Sequence, residues 1–549
     1  MKKLLIIILL AAVKLSVSQT LPMEFKITPE VFKSLKSTAN NQFKQAGRFM
    51  AAPESSPTII SNFISDIIVA GNDVADTIWF GTGKGISRTL NNGLSFQNYY
   101  GTDPFGEDDV SGVAVYKNWV VVATATSMDV GDEKNVPFGT GIKVSSDYGN
   151  TWNSYAQPQD YTDTVNIQYG SNVIKGLGIT STGKNLSYDI LITKKNNTSD
   201  TIVIWLASWA GGIRKSTDFG ASFHHVLTPP DSFDTLNITG TYNFFYNPVN
   251  NGNHKGFSLA AMNDSVIYAG TSGGINRSTD WGQSWIKYRY RNTGSGTGIS
   301  GNFVVGMKMQ RFGTKQILWA ATNFGEGEID NSGQFSGLSY TSNAGVTWAN
   351  TLEEGLFSHN MGFQDSIIYG ATDNGIWRSY FTPPNFAWSK PSVIYDEQLR
   401  DRIYSNNFYA VASQGDSVWV GSGDGLARTV DSISSPWAGK WKIFRAYQTL
   451  TSTNETYAAP NPFSPDDEVC RIYFKTGKTS AAVTIKLFDF AMFPVRTVIQ
   501  NAQRSTPDML WAVWDGKRDD GSQVVNGVYF YRIEIDKDQT IWGKILVMQ

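Results

Sequence analysis

The chain has 549 residues, with 46 Lys and Arg against 48 Asp and Glu, 4 His and a single Cys. Aromatics at 13 %, charged residues at only 17 % and 52 Gly exclude a disordered chain or a coiled coil. The near-neutral balance, with no basic block, argues against nucleic acid as a partner, and one Cys excludes an internal disulfide framework or an all-Cys zinc site.

The N-terminus pairs a basic start, Met1-Lys2-Lys3, with an apolar run over residues 4–13 and small residues at Ser16 and Ser18. That pattern predicts a secretory signal peptide over residues 1–18, cut near Ser18–Gln19; the competing reading is an interfacial or buried first helix. No later segment is long and apolar enough to cross a bilayer, so no transmembrane segment is expected after signal cleavage. Residues 19–56 read as an extension with one short helix near Pro29 to Ser37.

From residue 57 to 449 one unit recurs. It has a short apolar strand, a Gly/Thr turn, a Gly-Ile or Gly-Leu strand start, and then Ser/Thr-x-Asp-x-Gly-x-Ser/Thr-aromatic. The clearest copy spans residues 264–285, with Ser278, Asp280, Gly282, Ser284 and Trp285 in the closing turn. Other turns carry Asp147, Gly149 and Trp152; Asp218, Gly220 and Phe223; Asn91, Gly93 and Phe96; and Asn343, Gly345 and Trp348. Two further copies, near residues 365–379 and 416–429, keep the strands and lose the turn. Seven copies over this stretch give about 56 residues each, the length of a four-stranded propeller blade. The expected fold is all-β, a seven-bladed β-propeller followed by a small Ig-like β-sandwich.

The five turns resemble the Asp-box, or BNR repeat, of bacterial sialidases, sortilin-type receptors, family-74 glycoside hydrolases and photosystem II assembly-factor-like propellers. The resemblance is specific for fold and nearly silent on function. Its chemistry makes Asp147, Asp218 and Asp280 structural acceptors of turn N–H groups. Gly149, Gly220 and Gly282 then supply positive φ, while Trp152, Trp285 and Trp348 pack between sheets.

After Gln448 the pattern changes. Residues 450–465 read as a Pro-rich linker, and residues 466–549 as a β-sandwich with Asp-Gly and Asn-Gly hairpins. The Pro460-Asn461-Pro462-Phe463 entry, the Trp514-Asp515-Gly516 hairpin, the Gly527-to-Tyr531 strand and the ending Gly543 to Val547 resemble the hook-capping-type Ig-like domain and the related type A sorting domain of type IX secretion. The resemblance implies export across an outer membrane by that machinery. The terminal Met548-Gln549 departs from the basic ending of many such tails, which keeps a purely structural Ig module open.

Chemistry is sparse. Gly270-Thr271-Ser272-Gly273-Gly274 fits a hydrolase string but is the repeat's own turn. The four His show no metal-ligand spacing, and no metal or cofactor is expected. Sialidase action would need an Arg-Ile-Pro segment, which the chain lacks. Loop carboxylates offer weak catalytic candidates: Asp108 and Asp109 with Glu107; Asp132 with Asp129 and Glu133; Glu326 and Glu328 with Asp330. The first two clusters also suit calcium as a minor alternative.

Insertions at 100–109, 125–138, 227–256, 290–301 and 323–337 are expected on one face, where a propeller builds binding surfaces. Their rings include Trp209, Tyr242, Phe245, Tyr246 and Phe324, which either bind ligand or pack the loops. The favoured reading is an exported, non-enzymatic propeller binding a glycan or cell-envelope protein at this face. The alternatives are an extracellular glycoside hydrolase acting on polysaccharide, and a structural component of a cell-surface assembly.

Overall fold

The computed structural model describes residues 47–50, 54–70, 77–195, 201–290, 298–324, 333–352, 356–466, 468–537 and 539–548. The expected signal peptide over residues 1–18 and the expected helix near residues 29–37 lie outside this set. Among the described residues every element is a strand except a single 3-10 turn at Gly252–His254. None is a helix long and apolar enough to cross a membrane. The chain divides into two compact units, Met1–Arg445 and Ala446–Gln549.

The first unit is a propeller-type ring of antiparallel sheets. Sheet one runs Ile64–Val69, Ile78–Thr82, Ile86–Thr89 and Phe96–Tyr99, each strand paired with the next. Six further sheets begin with Asp109–Tyr116, Ser187–Lys194, Gly256–Ala261, Phe303–Phe312, Ser358–Gln364 and Phe408–Gln414, and are called sheets two to seven in that order. These first strands pack successively against one another, and the last packs against the first, which closes the ring.

Second strands lie between neighbouring sheets, so both of their faces are covered. Ile78–Thr82, Ile202–Ser208 and Ile267–Thr271 are buried at every residue. Their sequences therefore read as continuous apolar runs rather than as alternation. Trp79, Trp205, Trp319 and Trp419 sit at equivalent places in four such strands, each at most 1 % exposed. Each burial contributes roughly 2–3 kcal/mol before entropy is counted.

A third-strand cation then fastens one sheet to the next. Arg88 lies over the Trp79 ring, 5.0 Å from its centroid, and donates to the Tyr148 carbonyl in the box turn of sheet two. Lys215 lies over Trp205 and donates to the Trp281 carbonyl of sheet four at 3.1 Å. Arg428 of sheet seven lies over Trp419 and reaches the Asn92 carbonyl of sheet one, across 336 residues of sequence. The same three-part contact thus seals the ring where the chain's two ends of the repeat region meet.

All seven first strands carry a register shift at one place: at 64/66, 110/112, 187/189, 256/258, 304/306, 358/360 and 408/410. A bulge bends its strand and redirects the following side chain. Repeated around the ring, it sets the residues that line the axis.

The second unit is a two-sheet sandwich. Tyr457–Ala459, Cys470–Lys475 and Met509–Trp514 form one sheet; Pro494–Arg504, Ala481–Phe488, Gly527–Ile535 and Gln539–Val547 form the other. One core joins them, with Phe463, Ile472, Phe474, Trp514, Tyr531 and Ile545 all buried. The reading of 450–465 as a linker needs correction. Tyr457–Ala459 pairs with Cys470–Lys475, and Phe463, 1 % exposed, packs its ring on Trp514. The prolines there shape an entry strand that belongs to the fold. Cys470 is a buried core residue whose thiol burial pushes up, so it is no nucleophile.

Candidate functional site

The box turns keep five of the third-to-fourth-strand links short. In each, an Asp or Asn side chain closes the hairpin. Asp147 Oδ1 accepts the Thr151 N–H at 2.8 Å and the Ser145 hydroxyl at 2.8 Å, and its Oδ2 accepts the Thr151 hydroxyl at 2.6 Å. Asp218 does the same with Ser222 and Ser216, and Asp280 with Ser284 and Ser278. Asn91 and Asn343 hold the N–H groups of Ser95 and Thr347, both at 2.9 Å. The glycines sit at φ of 79–95°, but so do their predecessors at positive φ: Asn92, Tyr148, Phe219, Trp281 and Ala344. Close approach adds a second demand for glycine. A Cβ on Gly149 would stand 2.6 Å from Trp79, and one on Gly282 would stand 2.8 Å from Trp205. Trp152, Trp285 and Trp348 are buried at 0–3 % exposure.

In an antiparallel meander, the links from second to third strand and from fourth strand to the next sheet lie at the end opposite the box turns. The long insertions leave by these links. One more does so than the sequence suggested: 156–186, which holds the hairpin Thr164–Tyr169 with Asn172–Leu177. The stretch 381–407 instead follows the third strand Gly375–Tyr380 of sheet six, which has three strands, and so starts at the box-turn end. Residues 125–138 are not a loop. They extend the strands Trp119–Val130 and Glu133–Ser145 into a long hairpin with its own small core of Val130, Val136 and Phe138.

Of the expected binding rings, Phe245 is 49 % and Phe324 46 % exposed. Two expectations are corrected. Trp209, 3 % exposed, is packed with Ile179, Phe257 and Phe303, and Tyr246, 1 % exposed, lies against His254. Tyr242 is half-buried, and its hydroxyl accepts the Asn237 N–H at 2.8 Å. Aromatics beside Gly and Asn here mostly give the insertions a core of their own.

The carboxylates separate in the same way. Lys134 binds Asp129 at 2.9 Å and Lys184 binds Glu133 at 2.8 Å, so the cluster around exposed Asp132 is tied down by its own lysines. Glu326, Glu328 and Asp330 lie outside the described residues. Asp109 differs. Burial, reinforced by the neighbouring Asp108 charge and opposed by Lys84, raises its carboxyl to about 6. Among the described residues no three or more His, Cys, Asp or Glu converge as metal ligands. Ser272 donates to the Gly252 carbonyl at 2.9 Å, a turn contact without a base.

Inside the ring lies a chamber of about 300 Å³ that the sequence did not announce. It is lined by the first strands together with Phe63 just ahead of one of them, and charged or amide side chains reach it from four sheets: Asp66, Asp189, Lys308 and Asn360, joined by Ser65, Ser111 and His359. Asp66 and Asn360 meet at 3.5 Å although 294 residues separate them. Burial raises Asp189 to about 7, against N–H bonds from Leu259 and Ile190 that favour its ionised form. Burial also raises Asp66, offset in part by the Lys308 charge. Toward the looped end stands a collar of rings. Phe63 is 5.0 Å from Tyr409, Tyr409 5.2 Å from His359, and Tyr188 5.4 Å from Phe257. The available signal was a lone charge within an apolar strand, as in Tyr188-Asp189-Ile190 and Met307-Lys308-Met309.

His224 and His225 lie in the short outer strand His224–Val226 of sheet three. His225 and Arg214 hold buried Asp160 at 2.9 and 3.0 Å, a clamp that docks the 156–186 insertion. The groove beside it is a recess of about 1330 Å³.

No protein-family model matches the sequence, and no curated protein matches it. Among solved structures, YCF48 bound to D1 peptide is 10 % identical, with a TM-score of 0.38 over 71 % of this chain and 98 % of that one. PorZ, a bacterial surface component of the type-IX secretion system of Porphyromonas gingivalis, is 12 % identical at 0.26, over 88 % and 75 %. An ancestral GH74 enzyme is 12 % identical at 0.31, over 90 % and 79 %. Likenesses this distant decide nothing about ligand or partner.

Proposed function

We propose that the ring is a seven-bladed Asp-box propeller that works outside the cell as a non-enzymatic binding module. Its looped face takes a glycan or a cell-envelope protein. One observation carries the reading: most of the long insertions leave by the links at one end of the sheets, while the five box turns at the other end stay tight. A rigid scaffold with variable loops on one side is the usual construction of a binding surface. Of the rings expected on that side, Phe245 and Phe324 are exposed and free to contact a ligand.

The sandwich is read as an Ig-like module for type IX export or surface attachment, supported by the Pro-Asn-Pro-Phe entry and the hairpin motifs of the sequence. Removal of residues 446–549 should leave the protein inside the outer membrane, where surface proteolysis of intact cells no longer reaches it. Surface exposure of the shortened chain would reject this role.

A hydrolase is the second reading, and Asp109 favours it. A carboxyl raised to about 6 beside a second carboxylate is the pairing that acid–base chemistry needs. The deciding assay is release of new reducing ends from a polysaccharide panel by the mature protein, followed by Asp109→Asn. Release that depends on Asp109 would replace the binding reading. Without release, glycan arrays and envelope pull-downs with Phe245→Ala and Phe324→Ala test the binding face.

A further inference from the structure

The axial chamber contains opposite charges whose bonding capacity is unused. Asp66 Oδ1 accepts the Ile67 N–H at 2.9 Å and the distant Asn360 amide, whereas its Oδ2 has no donor among the described residues. Lys308 has no carboxylate within 4 Å and no hydrogen-bond acceptor among those residues. Its charge nevertheless acts on both Asp66 and Asp189. His359 is only 9 % exposed, lines the chamber and leaves Nδ1 without a partner. Ser111 Oγ, on the same wall, is likewise unpartnered.

Asp189 behaves differently and gives the contrast. Both its oxygens are held, by Ile190 N–H at 2.8 Å and Leu259 N–H at 2.7 Å, so it is fixed in place between two first strands. Asp66 and Lys308 face the same space; Asp66 is held through Oδ1 alone, and Lys308 has no partner among the described residues. A partly desolvated ammonium and carboxylate that do not pair with each other are costly to leave apart. A molecule that bridges them removes both costs at once. The volume equals the share of roughly ten waters at about 30 Å³ each, enough for an amino-acid-sized guest. The aromatic collar lowers the local dielectric and so strengthens each contact.

We propose that the chamber binds a small zwitterion, an ammonium and a carboxylate on a short aliphatic spacer. Asp66 receives the ammonium, Lys308 takes the carboxylate, and Ser111 and His359 supply the remaining polar contacts. The inference does not depend on what the looped face binds, since none of its residues lies in an insertion.

Isothermal titration of the full mature chain tests it. Glycine, β-alanine and 4-aminobutyrate are the zwitterions, graded in charge separation; ethylamine and acetate are the halves, and glucose is the neutral control. At least one zwitterion should bind saturably, with each half at least tenfold weaker. Lys308→Met and Asp66→Asn should each weaken that zwitterion at least tenfold, while Lys308→Arg restores part of the loss. Circular dichroism and melting temperature check that the variants fold.

A pH series on the unaltered chain serves if they do not. Between pH 8 and 6 Asp189, which burial raises to about 7, takes up a proton and its negative charge is lost beside the ammonium site, so affinity should fall at least threefold. His359, which burial lowers to about 4, stays neutral there, and burial pushes Tyr188 and Tyr409 up so that both stay protonated. No zwitterion binding, halves that bind as well as the whole, variants that bind like the parent, or pH-independent affinity would each overturn the proposal.

Discussion

Sheets four and seven are each fastened to the sheet before them, and they use different chemistry. In sheet four, Asp280 stays at the rim and closes its own turn, while Lys215 of sheet three grips the Trp281 carbonyl. Sheet seven has no box. Its Asp431 is itself the fastener: the side chain is fully buried and accepts Arg378 Nε at 2.5 Å and the Tyr369 hydroxyl at 2.6 Å, both from sheet six. The other carboxylate oxygen closes the local turn through the Trp437 N–H at 2.9 Å. A turn closed by a rim carboxylate leaves the neighbour to hold a backbone carbonyl. Without that turn, charge moves into the interior, where a partner becomes obligatory.

The sharpest break in this comparison is at the buried pair. Asp431→Ala should cost about 3–5 kcal/mol, because it strands Arg378 without a counter-charge. Arg378→Met combined with Asp431→Leu should cost clearly less than either single change. Urea unfolding followed by tryptophan fluorescence reads both; equal losses would mean that the pair contributes only packing. At the box turns the largest effect is expected at glycine. Gly149→Ala must hold φ at 82° and place its Cβ against Trp79, for a loss of about 2–4 kcal/mol. A loss below about 1 kcal/mol, the bare price of a left-handed alanine, would show that the neighbouring ring simply moves.

The contrast also marks what a sequence discloses. Box turns were legible because their demands are local: an acceptor, a left-handed glycine and a hydroxyl, all within six residues of Ser145 or Ser278. Second strands were legible from their apolar runs. The positive φ of Tyr148 and Trp281 was not, since neither residue type advertises it. Asp431 went unread because its partners lie 53 and 62 residues upstream. The chamber is the extreme case, with Asp66 and Asn360 brought together only when the ring closes. Trp209 and Tyr246 show a different limit, as a ring in a Gly-rich insertion has the same local sequence whether it meets a ligand or fills the insertion's core. Among the carboxylates, Asp108 and Asp109 were nameable, but the burial that sets Asp109 apart was not.

Within the boxes the comparison can be drawn more finely, between Asp and Asn. Asp280→Ala removes the acceptor of the Ser284 and Gln283 N–H groups and should cost about 1–2 kcal/mol. Asp280→Asn keeps one oxygen and reproduces the arrangement already used at Asn91 and Asn343, so it should cost less than about 1 kcal/mol.

Acid should make the same distinction without mutation. Burial pushes Asp147, Asp218 and Asp280 up, but hydroxyl and N–H donors outweigh it and hold all three below the usual carboxylate value. A carboxylate depressed by folding contributes stability above its unfolded pKa and loses it as pH falls through the folded value. Between pH 5 and 2.5, hydrogen exchange corrected for intrinsic rates should therefore rise at Thr151, Ser222 and Ser284. The amides of Ser95 and Thr347, held by amide oxygens that do not titrate, should keep their protection until the ring unfolds as a whole. Loss of protection at all five in step would show that acid unfolds the ring as a whole rather than through the turns.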